Sequence, residues 1–290
     1  MSDNKMPGQA LFPKTSGLRS PKRDTSEDVA HVIGCRIVQG MHPSGALLPT
    51  EHELCAALGV SRPALREGLR LLGAKGMIVG RRKVGTVVRP RSDWNMLDAA
   101  VLAWHLEQEP SETYIRSLFE ARMVIEPSAA ALAARRAGSD EVDAIATAFG
   151  QMLDAQAAAR THSPEQSDTH VLQHDDELTA TVAADLRFHV AILGAGGNLF
   201  LSSFGALIAS SLRAAFRLNW RVHASAPELS LAQHKAVLDA ISDKDADRAE
   251  TCMRILLESA SADARQALKK FISPEMGPAG QPKVRIRPGN

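Results

Sequence analysis

The chain is poor in the residues that staple small proteins or build aromatic cages. Its 290 residues include three cysteines, one tyrosine and three tryptophans, and aromatic side chains make up 4% of the whole. Cys35, Cys55 and Cys252 lie too far apart to suggest a disulfide framework or a zinc knuckle, and at helical spacing they read as core fillers in a reducing compartment. No apolar run approaches the roughly 18 residues that a membrane span needs, and no secretory pattern opens the chain, so a soluble, cytoplasmic protein is expected. Catalytic signatures are equally scarce: there is no HExxH, no Gly-x-Ser-x-Gly and no P-loop. The run Gly194-Ala195-Gly196-Gly197-Asn198 follows a helical pattern rather than a strand, which makes it a helix stop and turn instead of a phosphate cradle.

Net charge is also small, at +1, but the balance hides an asymmetry. Residues 19–91 hold 13 Lys+Arg against 6 Asp+Glu, a balance of +7, whereas residues 92–273 hold 16 against 25, a balance of −9. A basic module suited to polyanions therefore precedes an acidic one that a polyanion would repel. The length allows two compact domains, and 44% hydrophobic residues with few aromatics suits Ala/Leu-rich helices.

What is present concentrates between Gly45 and Val88. Thr50 precedes Leu54, Ala57 and Leu58 at helical spacing, and Glu53 three residues on completes a capping box. Gly59 stops that helix. Ser61 can cap a second one, with Pro63 in its first turn, running to about Gly73. Leu65, Leu69 and Leu72 form its apolar stripe, which leaves Arg62, Arg66 and Arg70 outward at four-residue steps. Two helices joined by a tight glycine-containing turn, the second basic at its start, predict a helix-turn-helix whose second helix meets base edges. Met77-Ile78-Val79 and Thr86-Val87-Val88 then predict a hairpin, or wing, with Arg81, Arg82 and Lys83 in its connection. An arginine fork suits guanine O6 and N7, and Ser61 with the helix N-terminus suits a phosphate. The alternative is a solvated cationic face, and Arg70 in particular can pair with Glu67.

This run resembles the DNA-binding domain of the GntR family of bacterial transcription regulators. The resemblance rests on Gly45, Leu48, Pro49, Glu51, Leu54, Gly59 to Arg62, Leu65 to Glu67, Leu69, Arg70, Leu72, Gly76 and Gly85 to Val88. It implies that Ser61, Arg62, Pro63, Ala64 and Arg66 touch double-stranded DNA from the recognition helix and that Arg82 and Lys83 do so from the wing tip. His52 stands where relatives usually carry an arginine, which makes its contact one that could vary with pH.

Helix follows helix beyond the reader, at roughly 97–107, 112–136, 140–159, 174–194, 198–220, 228–242 and 245–271. Ser111, Ser139, Asn198 and Pro227 sit at starts, Gly138 and Gly194 at stops. The expected organisation is a disordered arm at 1–24, a winged helix-turn-helix at 25–90 opened by a helix from Ser26 to Val38, and a linker at 91–97. An all-α antiparallel bundle at 98–273 and a disordered tail at 274–290 complete it. Residues 160–173 read as a polar loop insertion rather than a metal tract despite His162 and His170.

The second half is similar to the effector-binding FCD domain of the FadR subfamily over about residues 97–270. The similarity rests on Leu118 to Arg122 with Glu126-Pro127, Asp185 to His189 with Ile192, Gly197-Asn198, and His234 to Ile241. Trp94 to Asp98 and Val101 to Trp104 look like the corresponding stretch in regulators of sugar-acid operons such as galactonate. Asp185 and His189 are four residues apart and share one helix face, which Phe188 and Ile192 turn toward the core. The resemblance implies a divalent metal held by this Asp, this His, His234 and one further histidine. Leu256 occupies that last position and cannot ligate, leaving one carboxylate and two imidazoles for a Zn²⁺-like ion.

Three readings of Asp185, His189 and His234 stay open: metal ligands, direct hydrogen bonding to a hydroxylated effector, or a satisfied polar cluster. Arg122 is the candidate grip on an effector carboxylate, with Glu126 its alternative partner; Arg213 and Arg217, which share a face of a later helix, could assist, and Trp220 could stack on a sugar-like chain. A dimeric repressor relieved by a small organic acid is the function this reading favours. A metal-dependent hydrolase using the Asp/His/His group, and a regulator whose second domain only dimerises, are its rivals.

Overall fold

The computed structural model describes residues 25–107, 111–161, 170–223 and 230–272, with side chains over those spans except 159–161, 170–179, 218–223 and 271–272. The expected arm at 1–24, the tail at 274–290 and His162 lie outside the described residues, as do the side chains of His170 and Trp220. The chain forms two units, Met1–Gln108 and Glu109–Asn290.

Local signals build the first unit. Helix α1 (Ser26–Val38) starts at Thr25, whose hydroxyl accepts from the Asp28 N–H. Helix α2 (Glu51–Leu58) opens on both halves of the Thr50/Glu53 capping box and ends at Gly59, where φ of +69° makes a left-handed turn that glycine adopts without strain. Ser61 then caps α3 (Arg62–Ala74), with Pro63 in its first turn. Strands β1 (Ile78–Arg81) and β2 (Gly85–Val88) pair antiparallel, Ile78 opposite Val88, and Leu47 adds an isolated bridge to Val87. Lys83 turns the tip at φ +64°. Val29, Ile33, Leu54, Leu65, Leu72, Met77 and Val88 share one core beneath these elements.

The expected linker at 91–97 does not separate the units. Trp94 is buried and its indole N–H donates to the Arg89 carbonyl at 3.0 Å, while the Asn95 N–H donates to the Lys75 carbonyl at 2.8 Å. Asp98 caps α4 (Ala99–Leu106) by accepting from the N–H groups of Ala100 and Val101, and both its oxygens accept from Lys75 Nζ at 2.7 and 2.8 Å. Helix α4 lays Val101 and Trp104 into the same core as α1. The composition of 91–97 is loop-like, but a buried indole and a half-buried ion pair tie it down. The segment through Leu106 therefore belongs with the first unit.

The second unit is a helical bundle of α5 (Glu112–Arg136), α6 (Ser139–Thr161), α7 (His170–Ala195), α8 (Gly205–His223), α9 (Leu231–Ser242) and α10 (Ala246–Ile272). Helix α10 packs along α5, α9 and α8, α7 lies against α6, α8 and α5, and α9 touches α5 and α6. The helix expected from residue 198 begins only at Gly205. Asn198 instead accepts from the Phe200 N–H through its side chain and from the Leu201 N–H through its carbonyl, which makes a turn leading into a short 3-10 segment, Leu201–Phe204. The left-handed stop after α7 is Gly197 at φ +66°, not Gly194. The polar interruption is also shorter than expected, since α6 runs to Thr161 and α7 starts at His170.

Close approach of α4 to α1 depends on Gly34: a Cβ there would sit 2.5 Å from Trp104 Cζ3. Gly34→Ala gains about 1 kcal/mol of helix propensity but forces the ring aside at a larger overpacking cost, for a net loss of about 1–2 kcal/mol. A lowered thermal midpoint of the first unit is the expected result, and a raised one would show that Trp104 has room to move.

Candidate functional site

Two groups of side chains meet the requirements of recognition, one exposed on the first unit and one buried in the second. On α3 the apolar stripe goes inward, with Leu65 and Leu72 buried, and the helix is driven onto the core by that face. His52, Ser61, Arg62, Pro63 and Arg66 are exposed, Ala64 is half-buried, and Arg82 and Lys83 are exposed at the hairpin tip. Ser61 Oγ accepts from the Ala64 N–H at 3.4 Å. Arg66 donates from Nε to Glu51 Oε2 at 3.0 Å, and Arg70 is held by both oxygens of Glu67. Arg70 thus has the local partner that its spacing allowed.

The buried group is assembled from four helices. On α5, Ile115, Leu118 and Phe119 are followed on the same buried face by Arg122 and Glu126, each about 1% exposed. An ion pair standing in an apolar stripe is costly unless every charge is answered. Here it is answered: Arg122 Nε donates to Glu126 Oε1 at 2.5 Å, and Nη1 donates to the Ser211 hydroxyl of α8 at 3.3 Å. The guanidinium also lies over the Phe119 ring, 5.6 Å from its centroid. The second Glu126 oxygen accepts from Nδ1 of His189 on α7. One turn before His189, Asp185 Oδ1 lies 3.3 Å from His189 Nε2 and 3.2 Å from Nε2 of His234 on α9. His234 donates its Nδ1–H to the Ser230 carbonyl at 2.9 Å. Phe188 closes the apolar side, with its ring edge-on to both imidazoles.

Electrostatics fixes the charge states. Burial alone would push the Glu126 carboxyl up, but Arg122 and His189 hold it down at about 2. Burial also works against ionised Asp185, and its hydrogen bonds with His189 and His234 overcome that and keep it well below the usual carboxylate range. For His189 burial favours the neutral ring, yet Glu126 and Asp185 raise it to about 9. Arg122 and a protonated His189 thus face the ionised Glu126 and Asp185. In that state Arg122 Nη2 lies 3.4 Å from His189 Nε2, so this edge of the guanidinium meets another donor rather than an anion.

The same geometry fits a metal ion. Asp185 Oδ1 and the two Nε2 atoms lie within 4.8 Å of one another, and each imidazole has its Nδ1 tied to an outer acceptor, the common arrangement for metal-bound histidines. Leu256 is buried hydrocarbon on α10 and contributes no ligand. One carboxylate and two imidazoles with open positions suit a Zn²⁺-like ion.

Not every expected residue arrives. Arg213 lies on the exposed face of α8, two residues beyond Ser211 and therefore turned away from the cluster, and Arg217 is exposed with it. Trp220 cannot be placed, because its side chain is outside the described residues. Motif spacing does not single out Ser211, although a Ser210-Ser211 pair between Ile208 and Leu212 is a legible polar break in an apolar face.

Comparison with known proteins agrees with both resemblances. The family described as "Bacterial regulatory proteins, gntR family" matches residues 25–88, and the "FCD domain" family matches residues 117–259. The "Galactonate operon transcriptional repressor" of Escherichia coli K12 is 32% identical over 236 residues, covering 81% of this chain and 95% of that protein. The "Putative L-lactate dehydrogenase operon regulatory protein" of the same strain is 31% identical and covers 80% and 83%. Among solved structures, that of Lar, described as controlling the expression of the Listeria monocytogenes agr system, aligns with a TM-score of 0.54 at 14% identity. It covers 83% of this chain and 96% of that one and speaks to the fold alone. The described residues include no helix long and apolar enough to cross a membrane. With a gntR head followed by an FCD domain, and a relative alike over nearly its whole length, the chain belongs to the GntR family of bacterial transcription regulators in its FadR-like branch and is not an enzyme.

Proposed function

We propose that this protein is a cytoplasmic repressor that binds a pseudo-palindromic operator as a homodimer and lets go when a small hydroxycarboxylic acid enters its bundle. The observation that carries the reading is the buried guanidinium of Arg122, paired with Glu126 on one edge and opposed on the other by a serine hydroxyl and an imidazole. A carboxylate brought to that second edge would receive a two-pronged, charge-assisted grip, and hydroxyls beside it would meet Asp185, His189 and His234. Two relatives support the class of ligand, since their names refer to a galactonate operon and an L-lactate dehydrogenase operon.

Asp185, His189 and His234 would hold a divalent ion, which when bound supplies a Lewis-acidic anchor for an oxygen ligand. Arg122 orients the anion, Glu126 orients both Arg122 and His189, and the Ser230 carbonyl keeps the His234 ring turned inward. At the operator, Arg62 and Arg66 read bases, while Ser61, Pro63, Ala64 and His52 sit at the backbone and groove edge and Arg82 and Lys83 follow the neighbouring groove. An effector that binds better to one packing of the bundle shifts the pair of readers toward the matching arrangement.

Three measurements test this. Arg66→Ala should weaken binding to a promoter fragment from beside its own gene by at least roughly tenfold, the value of one good base contact, with an unchanged circular dichroism spectrum; equal affinity in a titrated gel shift removes α3 from the reading role. Arg122→Lys keeps a positive charge beside Glu126 but loses the fork, so operator affinity should hold while release by galactonate or L-lactate falls by about tenfold or more. An unaltered dose curve with either acid, in a protein that responds, takes Arg122 out of the site. His234→Gln should lower the divalent metal retained after dialysis, measured by elemental analysis, and equal retention would reject these ligands.

A further inference from the structure

A third group of chemically potent side chains gathers at the end of α4, in the first unit. His31 and Cys35 stand four residues apart on one face of α1, and Glu107, the C-cap of α4, comes to them from across the chain. Cys35 Sγ is 3.3 Å from Glu107 Oε2, His31 Nε2 is 3.2 Å from the same oxygen, and the sulfur and nitrogen are 4.0 Å apart. Cys35 is fully buried, whereas the side chains of His31 and Glu107 are 42% and 36% exposed, so the triangle is closed toward the core and open toward solvent. Neither operator reading nor effector sensing makes use of it.

We propose that His31, Cys35 and Glu107 form a binding site for one thiophilic divalent cation of the Zn²⁺ class, with solvent completing its coordination. Tetrahedral geometry with bonds of about 2.3 Å to sulfur and about 2.0–2.2 Å to nitrogen and oxygen sets ligand atoms roughly 3.2–3.6 Å apart. Two edges of the triangle already have that length, and the third must close by about 0.4 Å. A thiolate, an imidazole and a carboxylate are three of the donors that such an ion accepts.

Proton positions define the cost. Burial, reinforced by the negative charge of Glu107, pushes the Cys35 thiol well above its ordinary range, so without metal it is an S–H donor to Glu107. Trp104 donates its indole N–H to His31 Nδ1 at 3.1 Å, which places the proton of the neutral ring on Nε2, facing Glu107. Metal binding therefore releases the thiol proton to solvent and transfers the imidazole proton from Nε2 to Nδ1, where the Trp104 N–H loses its acceptor. The Trp104 indole must turn aside from that Nδ1–H, while a bound dication inverts the local preference for a neutral thiol. The ion would also clamp α1 to the last turn of α4 and stabilise the first unit by mass action.

The bundle's Asp185, His189 and His234 offer no sulfur, which makes cobalt a selective probe. Full-length protein stripped with a chelator and titrated with Co²⁺ should develop a near-ultraviolet thiolate-to-cobalt band that saturates as one site and collapses on adding Zn²⁺. The band should persist in His234→Gln, vanish in Cys35→Ser, and need at least roughly tenfold more Co²⁺ in Glu107→Gln, the loss expected when one of three protein ligands is removed. Absence of the band in folded wild-type protein at saturating Co²⁺ overturns the proposal. So does its survival in Cys35→Ser, which would assign it to Cys55 or Cys252; should that variant fail to fold, an unshifted titration of Glu107→Gln is equally decisive.

Discussion

Four ionised side chains sealed from water set the terms for the second unit. Arg122, Glu126, His189 and Asp185 each carry charge where solvation is absent, and each is tolerable only because the next one is in place. Removing one member of such a set typically costs about 3–5 kcal/mol, because the survivor keeps its charge and loses its answer. Well-packed hydrocarbon of the same volume often serves stability as well as buried ion pairs do, or better. The set therefore gives the bundle definition rather than strength: α5, α7 and α9 can approach only in the register that brings Glu126, His189, Asp185 and His234 together, and Ser211 draws α8 into the same arrangement.

The first unit works under the opposite constraint. Its cations stay in water, where their attraction for phosphate is long-ranged and their pairing with neighbours is cheap to exchange. The Arg66–Glu51 contact illustrates this: both side chains are largely exposed, so an ion pair of that kind contributes little to stability and gives way readily to a better partner. Rigidity comes instead from beneath, where Leu65 and Leu72 anchor α3 and Gly59 and Ser61 fix the angle at which it leaves α2. A negatively charged second unit keeps nonspecific attraction confined to the head.

Much of this was legible in the sequence because it rests on short-range stereochemistry. The Thr50/Glu53 box, the left-handed Gly59, the Ser61 cap and the bounds of α1 and α5 are decided by residues within a turn of one another. The four-residue spacing of Asp185 and His189 puts both on one helix face. The failures share a different cause, namely dependence on partners distant in sequence. Arg213 and Arg217 do share a face, but only the packing of α8 through Leu207, Ile208 and Leu212 decides that the face is turned outward. Residues 91–97 have the composition of a linker, and nothing local reveals that Trp94 will be buried or that Lys75 will reach Asp98. Likewise, no spacing rule connects His31 and Cys35 to Glu107.

Because α4 shares its core with α1, the seam between the two halves falls later than any motif boundary would put it. A gene fusion that cut after the wing and grafted a foreign sensor at residue 90 would strip Val101 and Trp104 from the head and leave a raw hydrophobic wound on α1. Exchange of sensors during evolution should accordingly have preserved the stretch through Leu106 as part of the head's inheritance, with the splice beyond it.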